Sequence, residues 1–247
     1  MALPGGHAHG DRVQAGDRPI ELILLGGFAL TCGGDTVSLP PAAQRVLAFL
    51  ALAERPLARA HVSGSLWPDR AESRAAASLR TAVWRLQQAL PHLINAAAQR
   101  LGIAHRLRVD YRERSAVAAG VLAGDTAEED VLAALCRPGE LLPDWYEDWL
   151  ELERERFRLL RARALERLAE SLTDRRRFGE AAEAGLAAVT SDPLRETAHR
   201  ALIRVFLAEG NAFEAIRQFR LCRSLSLQHL GAEPSEETVR LVRHLAP

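Results

Sequence analysis

Between Asp69 and Leu90 the apolar residues Leu79, Val83, Leu86 and Leu90 recur at alternating spacings of four and three, which puts them on one face of a helix. The run holds no Gly or Pro until Pro91 ends it. Asp69 and Glu72 stand in capping-box spacing, so the helix is expected to start at Asp69. The other side carries Arg74, Ser78, Thr81, Arg85 and Gln88, with Arg80, Trp84 and Gln87 on the flank and no acid after Glu72. A solvated helix face usually mixes both signs of charge. A face of arginines and hydrogen-bonding groups opposite a packing stripe predicts a recognition helix in a DNA groove.

The stretches before it fit that reading. Residues 1–19 are Gly, Pro and polar residues without periodicity and predict a disordered tail, in which His7 and His9 lack further metal ligands. Ile20 to Leu39 reads as short strands broken at Gly26-Gly27 and Gly33-Gly34-Asp35. Its glycines follow neither the G-x-G-x-x-G order nor the P-loop pattern, so it predicts a small sheet and no nucleotide site. Pro40-Pro41 opens a helix over Ala42–Ala53, with Ala43, Val46, Leu47 and Leu50 as its buried stripe. A short helix over Arg59–Leu66 then leads through Trp67-Pro68 to the recognition helix, a helix-turn-helix arrangement. Beyond Pro91, residues 101–103 and 107–111 predict two strands around a turn, with Arg100, Arg106, Arg108, Arg112 and Arg114 clustered on them. That is the basic hairpin of a winged helix, which contacts phosphates or the minor groove.

From Ala127 onward the pattern is helical. Residues 141–172 form a long amphipathic run whose aromatics, Trp145, Tyr146, Trp149 and Phe157, are expected in domain core or interdomain packing. Two stretches repeat at an offset of 34: Leu168, Leu172, Ala181 and Ala182 correspond to Leu202, Phe206, Ala215 and Ile216. That period belongs to tetratricopeptide helix pairs, which bind proteins or dimerise more often than they catalyse.

Charge sharpens the division. Formal net charge is zero, yet residues 1–120 hold 14 Arg against 9 acids (+5) and residues 121–247 hold 18 Arg against 23 acids (−5). A basic first half and an acidic second half imply different partners, the first of them anionic. All 32 basic residues are arginine, which together with the alanine content reflects a GC-rich genome. Cys32, Cys136 and Cys222 are far apart and read as reduced cytoplasmic thiols without disulfide or zinc spacing. Leu22–Leu30 is too short to span a bilayer, and the acids before it argue against a signal peptide. The remaining histidines are scattered, His199 being expected inside a helix pair, and no catalytic constellation emerges. The chain is read as no enzyme, with neither metal nor cofactor.

With those pieces placed, the chain resembles the SARP-type antibiotic regulatory proteins of bacteria. The resemblance is carried by LLGGFAL at 24–30, LWPD at 66–69, SLRTAVWRLQQAL at 78–90 and LLPDWYEDWLELERERF at 141–157. It continues through the stretch from DPLRE to GAEPSEET at 192–238. It implies a mainly α fold. An OmpR-like winged helix-turn-helix with a small β-sheet would occupy 20–115, and an all-α, tetratricopeptide-like bacterial transcriptional activation domain 116–247. It further implies an activator of a biosynthetic gene cluster that binds direct repeats in double-stranded DNA, as a homodimer on DNA, and recruits RNA polymerase holoenzyme. Such a protein would be cytoplasmic and nucleoid-associated. Carried over by position, residues 78–88 form the recognition helix, with Arg80, Thr81, Trp84 and Arg85 in or beside the groove. Arg74, Ser78 and Gln88 on the helix, and Arg106 and Arg108 on the wing, complete the expected DNA contacts. The wing departs from the family, which usually has Gly-Tyr where this chain has Gly102-Ile103 in a longer segment. With no ATPase or sensor motif after the helices, the chain looks like the short form of the family. The rival reading is a helical adaptor that binds only proteins.

Overall fold

The computed structural model describes residues 18–124 and 129–245. Most of the expected tail, residues 1–17 with His7 and His9, therefore lies outside the described residues. The chain divides into two units. One comprises the residues up to Leu22 with Ala29–Arg108, and the other Ile23–Phe28 with the residues from Val109 onward. The units divide after Arg108, and the short Ile23–Phe28 segment belongs to the second.

The first unit contains strands β1 (Ile20–Ile23), β2 (Ala29–Cys32) and β3 (Asp35–Thr36), then helix α1 (Pro41–Leu52). Strand β4 (Leu57–Ala58), helices α2 (Arg59–Leu66) and α3 (Glu72–Ala89), and strands β5 (Ile94–Ala96), β6 (Arg100–Ile103) and β7 (Leu107–Val109) follow. α1 begins where Pro40 holds an extended backbone and Pro41, whose missing N–H costs nothing in a first turn, enters the helix. It buries Ala43, Val46, Leu47 and Leu50, the stripe read from the sequence. α3 packs against α1 and α2 through Ala75, Leu79, Ala82, Val83 and Leu86, all buried.

Two expectations need correction here. The α3 start is not a capping box at Asp69. Residues 67–70 make a turn, with Arg70 N–H donating to the Trp67 carbonyl, and the N-cap is Ala71, without a side-chain cap. Glu72 instead sits in the first turn, where its charge complements the free N–H groups of the helix end. The wing hairpin is also not the pair 101–103 and 107–111. β6 lies between β4 and β5 in a three-stranded sheet, whereas β7 joins the other sheet, in the order β3-β2-β1-β7. The β5–β6 hairpin, with its tip at residues 97–99, is the wing. Gly102 allows a close approach there: a Cβ would meet the Pro56 ring at 3.3 Å, tight enough that the ring would have to shift slightly.

The second unit is helical: α4 (Asp110–Ala123), α5 (Glu129–Cys136), α6 (Asp148–Asp174), α7 (Phe178–Ser191), α8 (Glu196–Glu209), α9 (Ala212–Leu230) and α10 (Glu236–Val242). The Asp110 carboxylate accepts from the backbone N–H groups of Leu24 (2.8 Å), Leu25 (3.0 Å) and Tyr111 (2.7 Å), tying residues 23–28 to the start of α4. Opposite them Leu25 bridges Leu141, and Gly139 is needed because a Cβ would stand 3.1 Å from that of Leu25. Of the four aromatics, Phe157 is buried against Tyr111 and Trp145 stacks on Phe28 at 5.7 Å. Tyr146, 96% exposed, is not in the core. His199 is buried between hydrogen bonds to the Pro193 carbonyl (2.9 Å) and Gln218 on α9 (2.7 Å), and burial pushes its pKa down.

The 34-residue repeat holds at the level of single hydrogen bonds. Between α8 and α9, Gly210 N–H donates to Leu207 and Asn211 N–H to Phe206. Between α6 and α7, Arg176 N–H donates to Thr173 and Arg177 N–H to Leu172, each 34 positions earlier. Gly210 takes φ +88° and Arg176 takes φ +61°. A side chain pays about 1–2 kcal/mol for the left-handed conformation that glycine adopts freely. Arg176→Gly is expected to raise the unfolding free energy by about 0.5–1 kcal/mol, the gain in conformational freedom of the unfolded chain offsetting part of the relief. Chemical denaturation checks it; a lower midpoint would show that the Arg176 side chain holds the turn.

Candidate nucleic-acid interface

Burial on α3 is confined to one side, and the rest of its circumference faces outward. Arg74, Arg80, Thr81, Trp84, Arg85, Gln87 and Gln88 are exposed and Ser78 is half-buried, so every α3 residue singled out from the sequence lies on or beside the outward face. The hydroxyls are less free than the sequence suggests. Thr81 Oγ1 donates to the Ala77 carbonyl (3.1 Å) and Ser78 Oγ to the Arg74 carbonyl (3.0 Å). Ser78 Oγ also accepts from Arg70 Nη1 (2.9 Å). Ser78 thus anchors the preceding turn, while Thr81 offers its methyl outward, a surface suited to the methyl group of thymine.

The cations of α3 are unpaired. Among the described residues neither Arg74 nor Arg80 makes a side-chain hydrogen bond or an ion pair. The Arg85 guanidinium lies only over the Trp84 ring, 4.8 Å from its centre. The second unit differs: there Arg158, Arg177, Arg195 and Arg223 are each tied to carboxylates. Residues 29–108 carry 10 Arg against 4 acids, a balance of +6. An outward face with three arginines and a single acid, Glu72 in the first turn, attracts phosphate and releases counterions when it binds.

Arg80, Trp84 and Gln87 also line one wall of a groove of about 540 Å³, closed by Arg59 at the start of α2 and Ala98 at the wing tip. Trp84 stays 50% exposed there. The wing is pinned beside the helix: Arg59 N–H donates to the Gln99 carbonyl (3.0 Å) and Arg100 to the Pro56 carbonyl (3.1 Å). Arg59 and the wing tip are parts of this surface that the sequence reading missed, since only the β4–β6 pairing brings them to α3.

The two expected wing arginines separate. Arg106 is exposed in the turn before β7. Arg108 is paired with Glu21 at 3.1 Å on the β1–β7 sheet and lies off the wing. Among the described residues no cluster of His, Cys, Asp or Glu is arranged to hold a metal ion, and no helix is long and apolar enough to cross a membrane.

Comparison with known proteins bears on both units. The family model of the bacterial transcriptional activator domain matches residues 112–246. Among solved structures, EmbR of Mycobacterium tuberculosis, in complex with a low-affinity phosphopeptide, aligns with a TM-score of 0.72 at 21% identity. The alignment covers 93% of this chain and 65% of the EmbR chain, so this chain corresponds to less than two thirds of that protein. At that identity the likeness shows the fold: a winged helix followed by helical repeats. No curated protein sequence matches.

Proposed function

The chain belongs to the family of the bacterial transcriptional activator domain, and from that premise we propose that it is a SARP-type transcriptional activator whose first unit binds double-stranded DNA sequence-specifically. The observation that carries the reading is the outward face of α3, where Arg74, Arg80 and Arg85 stand without carboxylate partners beside Thr81, Trp84 and Gln88. Arg80 reads a base edge, Arg74 and Arg85 neutralise phosphates on either side, and the β5–β6 tip follows the adjacent strand. Arg106 serves as a peripheral phosphate contact, and Arg108, already paired with Glu21, contributes less. The helical unit dimerises on DNA and contacts RNA polymerase, so that two modest half-site affinities combine on direct repeats of a biosynthetic promoter.

The test is fluorescence anisotropy of the full chain with a duplex from its own upstream region and with a scrambled duplex, from 50 to 200 mM salt. If three to four phosphates are neutralised, affinity is expected to fall roughly a hundredfold over that range. The upstream duplex should bind at least tenfold tighter than the scrambled one. Equal affinity for both, or none at low salt, would favour a protein-binding adaptor.

A further inference from the structure

The helical unit contains a cleft that DNA binding does not use. It opens between the end of α5, the first half of α6 and the end of α7, with a volume of about 800 Å³, enough for a small organic ligand. Pro138, Leu141, Phe157 and Ala187 supply an apolar wall. Arg161 supplies a cation whose hydrogen bonds all go to neutral acceptors: the Leu135 carbonyl (2.9 Å), Ser191 Oγ (2.8 Å) and the Arg137 carbonyl (3.4 Å).

A second guanidinium converges on the same spot. Arg114, buried, donates to that Arg137 carbonyl at 2.9 Å. Neither arginine makes an ion pair with a carboxylate among the described residues. Burial lowers the pKa of both, although the Asp110 carboxylate near Arg114 acts the other way on that residue, and the charge of Arg114 lowers that of Arg161 further. Removing two like charges from water together is costly unless an anion answers them. The carbonyls at the end of α5 offset part of that cost, but they carry only partial charge. A guanidinium has five N–H groups, and the three acceptors leave Arg161 with two to offer.

The other charges of the cleft narrow the class of ligand. Arg158 is consumed by Glu155 and Asp192, and Arg154 by three backbone carbonyls. Glu140 and Glu151, both exposed, line the rim and repel a polyanion. We propose that this cleft binds a small carboxylic acid of single negative charge with an apolar body, its carboxylate seated on Arg161 and its body against Phe157 and Leu141. A nucleotide polyphosphate is the wrong ligand, because it would bring several charges past those carboxylates.

The test needs no knowledge of the natural ligand. Isothermal titration of the full chain with 1-naphthylacetate, and with its neutral isostere 1-naphthylacetamide, separates charge recognition from apolar contact. The acid is expected to bind at least tenfold tighter than the amide, as a charge-assisted pair does over a neutral one. Arg161→Gln should remove the advantage of the acid over the amide. Ala187→Phe, which narrows the cleft from its α7 wall and keeps the arginine, should weaken both at least tenfold, and it keeps the test available should Arg161→Gln fail to fold. Equal binding of acid and amide, undiminished binding by Ala187→Phe, or no binding of the acid at millimolar concentration would overturn the proposal.

Discussion

Arg80→Ala is expected to weaken binding to the upstream duplex by about ten- to a hundredfold while changing affinity for a scrambled duplex less than threefold. The first figure corresponds to the roughly 1–3 kcal/mol of discrimination that one good arginine–base contact provides. Arg80 is the arginine for which the argument is strongest. It makes no ion pair among the described residues, it lines the groove shared by α2, α3 and the wing tip, and Trp84 stands beside it. Arg74→Ala and Arg85→Ala should act differently, weakening both duplexes alike and making the salt dependence shallower by about one unit each, the behaviour of phosphate contacts. Arg108→Ala should leave both affinities within twofold, since its partner is Glu21. Anisotropy titrations of the four variants decide the matter. A larger loss from Arg108→Ala than from Arg80→Ala would move the DNA surface from α3 to the β1–β7 sheet.

That contrast between Arg80 and Arg108 shows what the sequence made legible. The packing stripe of α3 is local: Leu79, Val83 and Leu86 share a face because of helical geometry alone, and all three are buried. The stripe of α1 and the 34-residue repeat are legible for the same reason, each depending on residues within one or two helices. Strand pairing is not local. Residues 101–103 and 107–111 look like the arms of one hairpin, separated by three residues. Yet β6 finds its partners at Leu57–Ala58 and Ile94–Ala96, and β7 joins β1 from the start of the chain. Nothing within the segment records that choice. α4 is illegible in the sequence for another reason: its buried positions are Arg114, Ala118 and Val121, and a stripe containing an arginine does not register as apolar. The aromatics of residues 145–157 promised core, but Tyr146 precedes the helix and points outward. α6 itself begins only at Asp148, seven residues after the apolar run starts at Leu141.

What stands in those seven residues is a turn that a single side chain holds, and its loss is the largest stability effect expected. Arg154, on the second turn of α6, donates to the carbonyls of Leu141 (2.8 Å), Leu142 and Trp145 (2.8 Å). Leu142 is held at φ +46°, a conformation that costs a leucine about 1–2 kcal/mol, and its own N–H is spent on Leu24. Arg154→Ala leaves the part-buried carbonyls of Leu141 and Trp145 without a donor, while that of Leu142 keeps the Trp145 N–H (3.0 Å). At about 1–3 kcal/mol for each such group, tempered by water reaching them, roughly 2–4 kcal/mol of stability should be lost. In a chain of this size that corresponds to a fall in melting temperature of about 10 °C. Arg154→Lys should restore less than half of it, because an ammonium on a flexible stem does not reproduce the planar fork that reaches three carbonyls at once. Arg156→Ala, two residues along, is the matching control: its pair with Glu153 is exposed on the arginine side and should be worth less than about 1 kcal/mol. Thermal melts followed by circular dichroism distinguish the variants. A melting temperature for Arg154→Ala within 2 °C of the unsubstituted chain would mean that the contact of Leu25 with Leu141 and the Asp110 clasp hold the turn without the guanidinium. A full loss would mean that the left-handed Leu142 persists only because three charge-assisted bonds outweigh its strain.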